Sequence, residues 1–154
     1  MVGLTGRTAT GKTTAAADGL VLGLRESYEQ YYREQQKIRG RSYLADIMLS
    51  RGERIVHCGL RSPADYFRIK QAGGIVVALA CPPEVCLSRI DTSNPKNPSS
   101  LEQYVVQQGL QDSPDDYGSH LMWAIDNADY IVDTSRTLEE TFASLDSLVG
   151  RLLK

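Results

Sequence analysis

Apolar positions along the chain follow two different periods. Short runs rich in apolar and β-branched residues occur at 2–5 (Val-Gly-Leu-Thr), 54–58 (Arg-Ile-Val-His-Cys), 75–80 (Ile-Val-Val-Ala-Leu-Ala) and 129–132 (Asp-Tyr-Ile-Val), and each predicts a strand. The runs at 54–58 and 75–80 are nearly continuous in apolar character, as expected of strands covered on both faces in a parallel sheet. Helices are predicted between them at 26–38, 43–49 and 62–72, the last opening on Ser62-Pro63, a cap followed by a first-turn proline. Near the C-terminus Thr137 and Glu140 stand at capping-box spacing, and Leu138, Phe142, Leu145, Val149 and Leu152 recur at three- and four-residue steps as a core-facing stripe. Alternating strand and helix predicts an α/β fold, a mostly parallel sheet flanked by helices, in a single domain over 1–154. The segment 91–100 (Asp-Thr-Ser-Asn-Pro-Lys-Asn-Pro-Ser-Ser) carries two prolines among turn formers and is expected to be a mobile surface loop.

Composition narrows the class. With 154 residues the chain is long enough to bury a core without a metal or disulfide staple. Seventeen Lys and Arg against 19 Asp and Glu leave a net charge of -2, which argues against nucleic-acid coating or a polybasic membrane anchor and requires any electropositive site to be local. Three cysteines, Cys58, Cys81 and Cys86, form no CxxC pair and have no histidine at zinc-finger spacing, so neither a disulfide framework nor a structural zinc is expected. No apolar run approaches membrane-spanning length, and a cytoplasmic location is the expectation.

The chemistry is concentrated at the end of the first strand. Gly6-Arg7-Thr8-Ala9-Thr10-Gly11-Lys12-Thr13 satisfies G-x-x-x-x-G-K-[ST] and lies between that strand and an Ala-rich segment beginning at Thr14, the strand-loop-helix context the motif needs. Four constrained positions give a chance match of roughly half a percent over such a chain. Glycines at both ends let successive N–H groups turn inward on phosphate oxygens at a positive helix N-terminus. Gly6, Thr8, Ala9, Thr10, Gly11, Lys12, Thr13 and Thr14 are therefore the nucleotide-binding candidates. Lys12 would neutralise the β and γ phosphates, and the Thr13 hydroxyl is the candidate Mg²⁺ ligand. ATP and Mg²⁺ are the expected cofactors.

Over nearly its whole length the chain resembles the P-loop kinases of small metabolites, in particular the nucleoside monophosphate kinase and dephospho-coenzyme A kinase group. The resemblance is carried by Val2-Gly3-Leu4-Thr5 with the motif, by Ile55-Val56-His57-Cys58-Gly59-Leu60-Arg61-Ser62-Pro63, by Ala80-Cys81-Pro82-Pro83-Glu84-Val85 with Arg89-Ile90, and by Asn127-Ala128-Asp129-Tyr130-Ile131-Val132. It implies a three-layer P-loop NTPase fold with a five-stranded sheet, a lid at about 91–100 and an acceptor pocket opposite ATP. It also implies that Arg61 and Arg89 join Lys12 as catalytic residues, and that Arg33 and Arg61 bind the acceptor; Arg suits bidentate phosphate contact. Small-molecule partners follow, with no nucleic acid or membrane, and a homo-oligomer or protein partner stays open.

The chain departs from that group in three places. Cys58 stands where the strand-end acid is usual, and a thiol is a poor partner for water-held Mg²⁺. Cys86 and Ser93 occupy positions where further lid arginines are frequent, and 18–42 is short, leaving Asp18 and Asp46 as the nearest carboxylates. Two readings therefore stand together: an ATP-dependent phosphotransferase for a nucleoside or deoxynucleoside monophosphate or a dephospho-coenzyme A-like acceptor, and a catalytically degenerate nucleotide-binding module serving as a regulatory or complex-forming subunit. A GTPase is disfavoured by the lack of an N-K-x-D motif.

Other residues take plainer roles. Tyr28, Tyr31, Tyr32 and Tyr43 are expected to cover the core edge. His57 is expected to be a partly buried polar group, and Met122 and Trp123 to be core or interface residues. Asp112, Asp115 and Asp116 are read as turn and cap residues, and Cys81 and Cys86 as inert thiols.

Overall fold

Parallel pairing around a central first strand organises the molecule. The computed structural model describes residues 2–5, 25–52, 56–94, 97–109, 112, 116, 117 and 119–152, with backbone alone at 2–5, 25–30, 57 and 58. Strands β1 (Val2–Thr5), β2 (Val56–Cys58), β3 (Ile75–Ala80) and β4 (Tyr130–Asp133) form one sheet in the order β2-β1-β3-β4, every pair parallel. The fifth strand implied by the family resemblance is not among the described residues. Seven helices are described: α1 (Arg25–Arg39), α2 (Tyr43–Leu49), α3 (Pro63–Gln71), α4 (Pro83–Ser88), α5 (Leu101–Gly109), α6 (Leu121–Asp126) and α7 (Leu138–Leu152). Among the described residues no helix is long and apolar enough to cross a membrane.

β3 carries the core on both faces, as its unbroken apolar run predicts. Val77 and Leu79 pack with Val132 and with Leu148 of α7, while Val76 turns the other way, to Ala45 of α2, Leu60 and Ile69 of α3. Successive strand residues point to opposite faces, so a strand covered on both needs apolar residues throughout. Helices on both sides of the sheet make the predicted three layers.

α7 opens on the predicted box: Glu140 N donates to Thr137 Oγ1 at 3.2 Å, and Thr137 N donates to Glu140 Oε2 at 3.1 Å. Its buried stripe differs from the expected one. Thr141 and Leu148 are buried, with Leu145 and Leu152 packed beside them, whereas Leu138, Phe142 and Val149 are 40–48% exposed. The two sets lie roughly 70° apart around the helix at 3.6 residues per turn. α7 rests on β3 and on β4, the strand that ends the described sheet, and these cover only part of its apolar arc.

Where the β3–β4 ladder begins, a side chain supplies an acceptor. Val76 N donates to Asp129 Oδ2 at 2.7 Å, Asp129 N donates to Val76 O at 2.9 Å, and Lys70 Nζ of α3 lies 2.6 Å from Asp129 Oδ1. Asp129→Ala would strand the Val76 N–H and cancel the ion pair, and is expected to cost about 2 kcal/mol. Urea unfolding measures it; a loss under about 0.5 kcal/mol, the range of ordinary surface substitutions, would refute this role.

Candidate functional site

The chain runs from β1 to β2 on one side and from β3 to β4 on the other, so the connections leave the C-terminal ends of the neighbours β1 and β3 in opposite directions. Such a switch point opens a crevice at the carboxyl ends of the strands, where α/β sheets bind ligands. The phosphate-loop sequence follows directly from Thr5, which aligns with Ala78 of β3 in the parallel register. Gly6, Thr8, Ala9, Thr10, Gly11, Lys12, Thr13 and Thr14, and likewise Asp18, lie outside the described residues, as do the side chains of His57 and Cys58. What the structure describes is the rim to which β1 delivers that loop.

On the β2 side the rim is the turn Gly59–Ser62. Gly59 adopts φ +96°, a left-handed conformation that glycine enters without strain, and so turns the chain sharply after Cys58. Arg61 follows, its carbonyl accepting a 2.6 Å bond from His120 N. Asp112 pairs with His120 through an isolated bridge and caps α6 by accepting from Met122 N at 3.0 Å, the cap role expected of it. Asp116 instead forms a 2.8 Å ion pair with Arg41, whose guanidinium also lies 5.0 Å from the Tyr117 ring centroid. The segment between α5 and α6 thus joins the Arg61 turn to the end of α1, the helix that carries Arg33.

The same turn starts α3 and contains a residue that the sequence reading passed over. Ser62 caps the helix, its Oγ accepting from Asp65 N at 3.1 Å. Asp65, 1% exposed, accepts through Oδ2 from the Ser62 hydroxyl and the Tyr32 hydroxyl, each at 2.8 Å, and through Oδ1 from Ala45 N at 3.3 Å. The S-x-x-D spacing after Arg61 was the available signal. It announces a cap, but not that the carboxylate would turn inward to a tyrosine 33 residues earlier in the chain.

Tyr32 and Tyr43 are buried, with ring centroids 5.7 Å apart, while Tyr31 is exposed. Burial first, and then the negative charge of Asp65, drive the Tyr32 hydroxyl far above its ordinary pKa of 10.0. Its folded-state pKa is raised, so its contribution to stability is complete below pH 10 and is lost as pH climbs from 10 toward the folded value, by up to about 1.4 kcal/mol per pH unit. Tyr32→Phe is expected to flatten that alkaline decline. Chemical unfolding between pH 9 and 11 tests it, and equal slopes in the two proteins would contradict it.

On the β3 and β4 side, Arg89 ends α4. Its Nη2 donates to Thr134 O at 2.7 Å and Arg136 O at 3.2 Å, and its Nη1 lies 3.6 Å from Cys81 Sγ. The guanidinium therefore staples the β4–α7 loop to the end of β3. Asp133, the last residue of β4, accepts from Ser135 N at 2.8 Å, a bond that keeps its carboxyl below the usual range. Cys86 is buried, and Cys81 is pushed up to about 11 by burial and by the neighbouring Cys86 thiol, so both are poor nucleophiles, as expected.

The described part of 91–100 is a loop held by local bonds, exposed at 91–94 and at Ser99 and Ser100 but with Pro98 buried. Asp91 Oδ1 accepts from Ser93 N at 3.0 Å and Ser93 Oγ at 2.6 Å, and Asn97 Nδ2 donates to Asp91 O at 2.8 Å. Ser100 then caps α5 by accepting from Gln103 N at 3.2 Å. Asp46, one of the two carboxylates nearest the short 18–42 stretch, is occupied with Arg68 Nε at 2.6 Å and Ser42 Oγ at 2.9 Å. Trp123 contacts Tyr66 edge-on, with ring centroids 5.3 Å apart, at the α3–α6 contact, while Met122 is 37% exposed.

No protein-family model and no curated protein matches the chain in sequence. Solved structures do match in fold. The chain is similar to shikimate kinase from Aquifex aeolicus vf5, at 20% identity and TM-score 0.52 over 99% of this chain and 98% of that one. It is similar to TT1252 from Thermus thermophilus, at 17% identity and TM-score 0.51 over 98% and 96% of the two chains. It is also similar to shikimate kinase from Bacteroides thetaiotaomicron, at 18% identity and TM-score 0.51 over 99% and 98%. The chain has the α/β fold of P-loop kinases, a parallel sheet between helical layers. The likeness shows the fold and does not reach the nucleoside monophosphate or dephospho-coenzyme A group that the sequence resembles.

Proposed function

We propose that the protein is an ATP-dependent phosphotransferase acting on a small anionic acceptor. The observation that carries the reading is the phosphate-loop sequence running straight on from β1, whose carboxyl end opens between β2 and β3. The residue types of the motif suit Mg-ATP: glycines that can free backbone N–H groups for the phosphates, Lys12 for their charge, and a hydroxyl oxygen, Thr13, for a hard cation. Bound Mg-ATP supplies the γ-phosphoryl group. The chain holds it in line and neutralises its charge, which is most of what phosphoryl transfer asks of a protein.

Arg61 and Arg33 are the acceptor-side residues in this reading. Arg89 acts on the nucleotide side, where its carbonyl bonds hold the loop after β4 against the end of β3. The family resemblance in sequence favours a nucleoside or deoxynucleoside monophosphate or a dephospho-coenzyme A-like acceptor. The fold neighbours add shikimate, a hydroxylated carboxylate, to the candidates. These share an anionic group that an arginine can grip.

The second reading, a nucleotide-binding module without turnover, is favoured by one observation: Cys58 ends β2 where the resembling kinases carry an acid. The deciding experiment incubates the protein with Mg-ATP and a pool of ribo- and deoxyribonucleoside monophosphates, dephospho-coenzyme A and shikimate, followed by mass spectrometry. An 80-dalton gain on one acceptor supports the kinase and names its substrate. ATP binding without any product supports the module.

A further inference from the structure

Keeping a carboxylate 1% exposed is costly unless hydrogen bonds satisfy it, and the donors that satisfy Asp65 come from three separate pieces of chain. Tyr32 belongs to α1, Ala45 to α2, and Ser62 to the turn after β2. Two of these donors are immediate neighbours of the candidate acceptor arginines: Tyr32 precedes Arg33, and Ser62 follows Arg61. One carboxylate thus ties the backbone at Arg33 to the backbone at Arg61, across a gap of 27 residues closed by neither a sheet ladder nor a shared helix.

The surroundings reinforce that tie. One turn beyond Tyr32, Gln36, itself 2% exposed, donates to Arg41 O at 3.3 Å and fixes the α1–α2 turn. On the far side, His120 N holds the Arg61 carbonyl. We propose that Asp65 is a positioning residue for the acceptor: it locks α1, α2 and the Gly59–Ser62 turn into one body, so that Arg33 and Arg61 keep a fixed relation to each other. A well-packed apolar side chain would hold these elements together about as strongly. Only directional bonds from three donors select a single arrangement of them. The effect on acceptor binding rests on the phosphotransferase reading; the mechanical coupling does not.

Tyr32→Phe removes one donor at constant volume, and Asp65→Asn keeps the shape while exchanging acceptor oxygens for an amide. Both are made in the full chain and compared with wild type in KM for Mg-ATP, KM and kcat for the acceptor identified from the pool, and amide hydrogen exchange over 43–49 and 59–66. In both variants the acceptor KM is expected to rise about fivefold or more, the effect of one lost buried hydrogen bond, with the ATP KM within about twofold. Exchange is expected to quicken in α2 and in the Gly59–Ser62 turn together, although Tyr32→Phe alters neither. An acceptor KM unchanged in a folded variant, with activity lost only in proportion to unfolded protein, overturns the proposal. If wild type phosphorylates nothing in the pool, the kinase reading fails by itself. The exchange measurement then decides the coupling: quickening confined to α1 overturns it, and quickening that reaches 59–62 sustains it.

Discussion

Lys12→Ala is expected to abolish phosphoryl transfer, lowering kcat by about 10²–10³-fold or more. Losing one preorganised electrostatic contact to a reacting group typically costs that much, and Lys12 is the charge the motif aims at the β and γ phosphates. Affinity for Mg-ATP should fall less, because the backbone N–H groups of the loop still cradle the phosphates. The phosphorylated product found by mass spectrometry should vanish in the variant while calorimetry still detects nucleotide. Equal product from wild type and variant would remove the loop from the chemistry and sink the kinase reading. Nucleotide binding by neither protein would sink the binding-module reading as well.

Asp65→Ala is expected to be the most destabilising single change at the described positions of the site. It withdraws the acceptor from the buried Tyr32 hydroxyl, the buried Ser62 hydroxyl and the Ala45 N–H, and it leaves a void. At about 1 kcal/mol or more for each stranded donor, the loss is about 3 kcal/mol, a fall in Tm on the order of 10 °C for a chain of this length. Differential scanning calorimetry tests it. A fall under about 2 °C would mean that water or neighbouring groups replace the carboxylate without cost, and the three elements would not depend on it.

The contrast between the two residues marks where sequence reading ends. Lys12 stands out in the sequence because the chemistry of its motif is local: glycine-framed loops of this spacing bind phosphate through consecutive backbone groups, so spacing along the chain is spacing in space. The Thr137–Glu140 box and the continuous apolar run of β3 are legible for the same reason, since helix capping and two-sided burial are written over a few adjacent residues. The four strand positions and their parallel character came from these short signals.

Asp65 has no such local signature. Its value comes from Tyr32 and Ala45, which stand 33 and 20 residues away in the chain and meet it only through the packing of α1, α2 and α3. Arg89 read as a lid arginine, yet its guanidinium spans to carbonyls 45 and 47 residues later in the chain, a bond set by the packing of α4 against the β4–α7 loop. The α7 stripe shows the same limit: periodicity reveals an apolar arc, but packing on β3 and β4 selects which part of it is covered. The sequence by itself determined the alternation of elements and supplied the phosphate-binding motif, because those depend on neighbours along the chain. The strand order, the carboxylate that joins three elements and the partners of each arginine were decided only by the tertiary structure, because they depend on contacts between residues tens of positions apart.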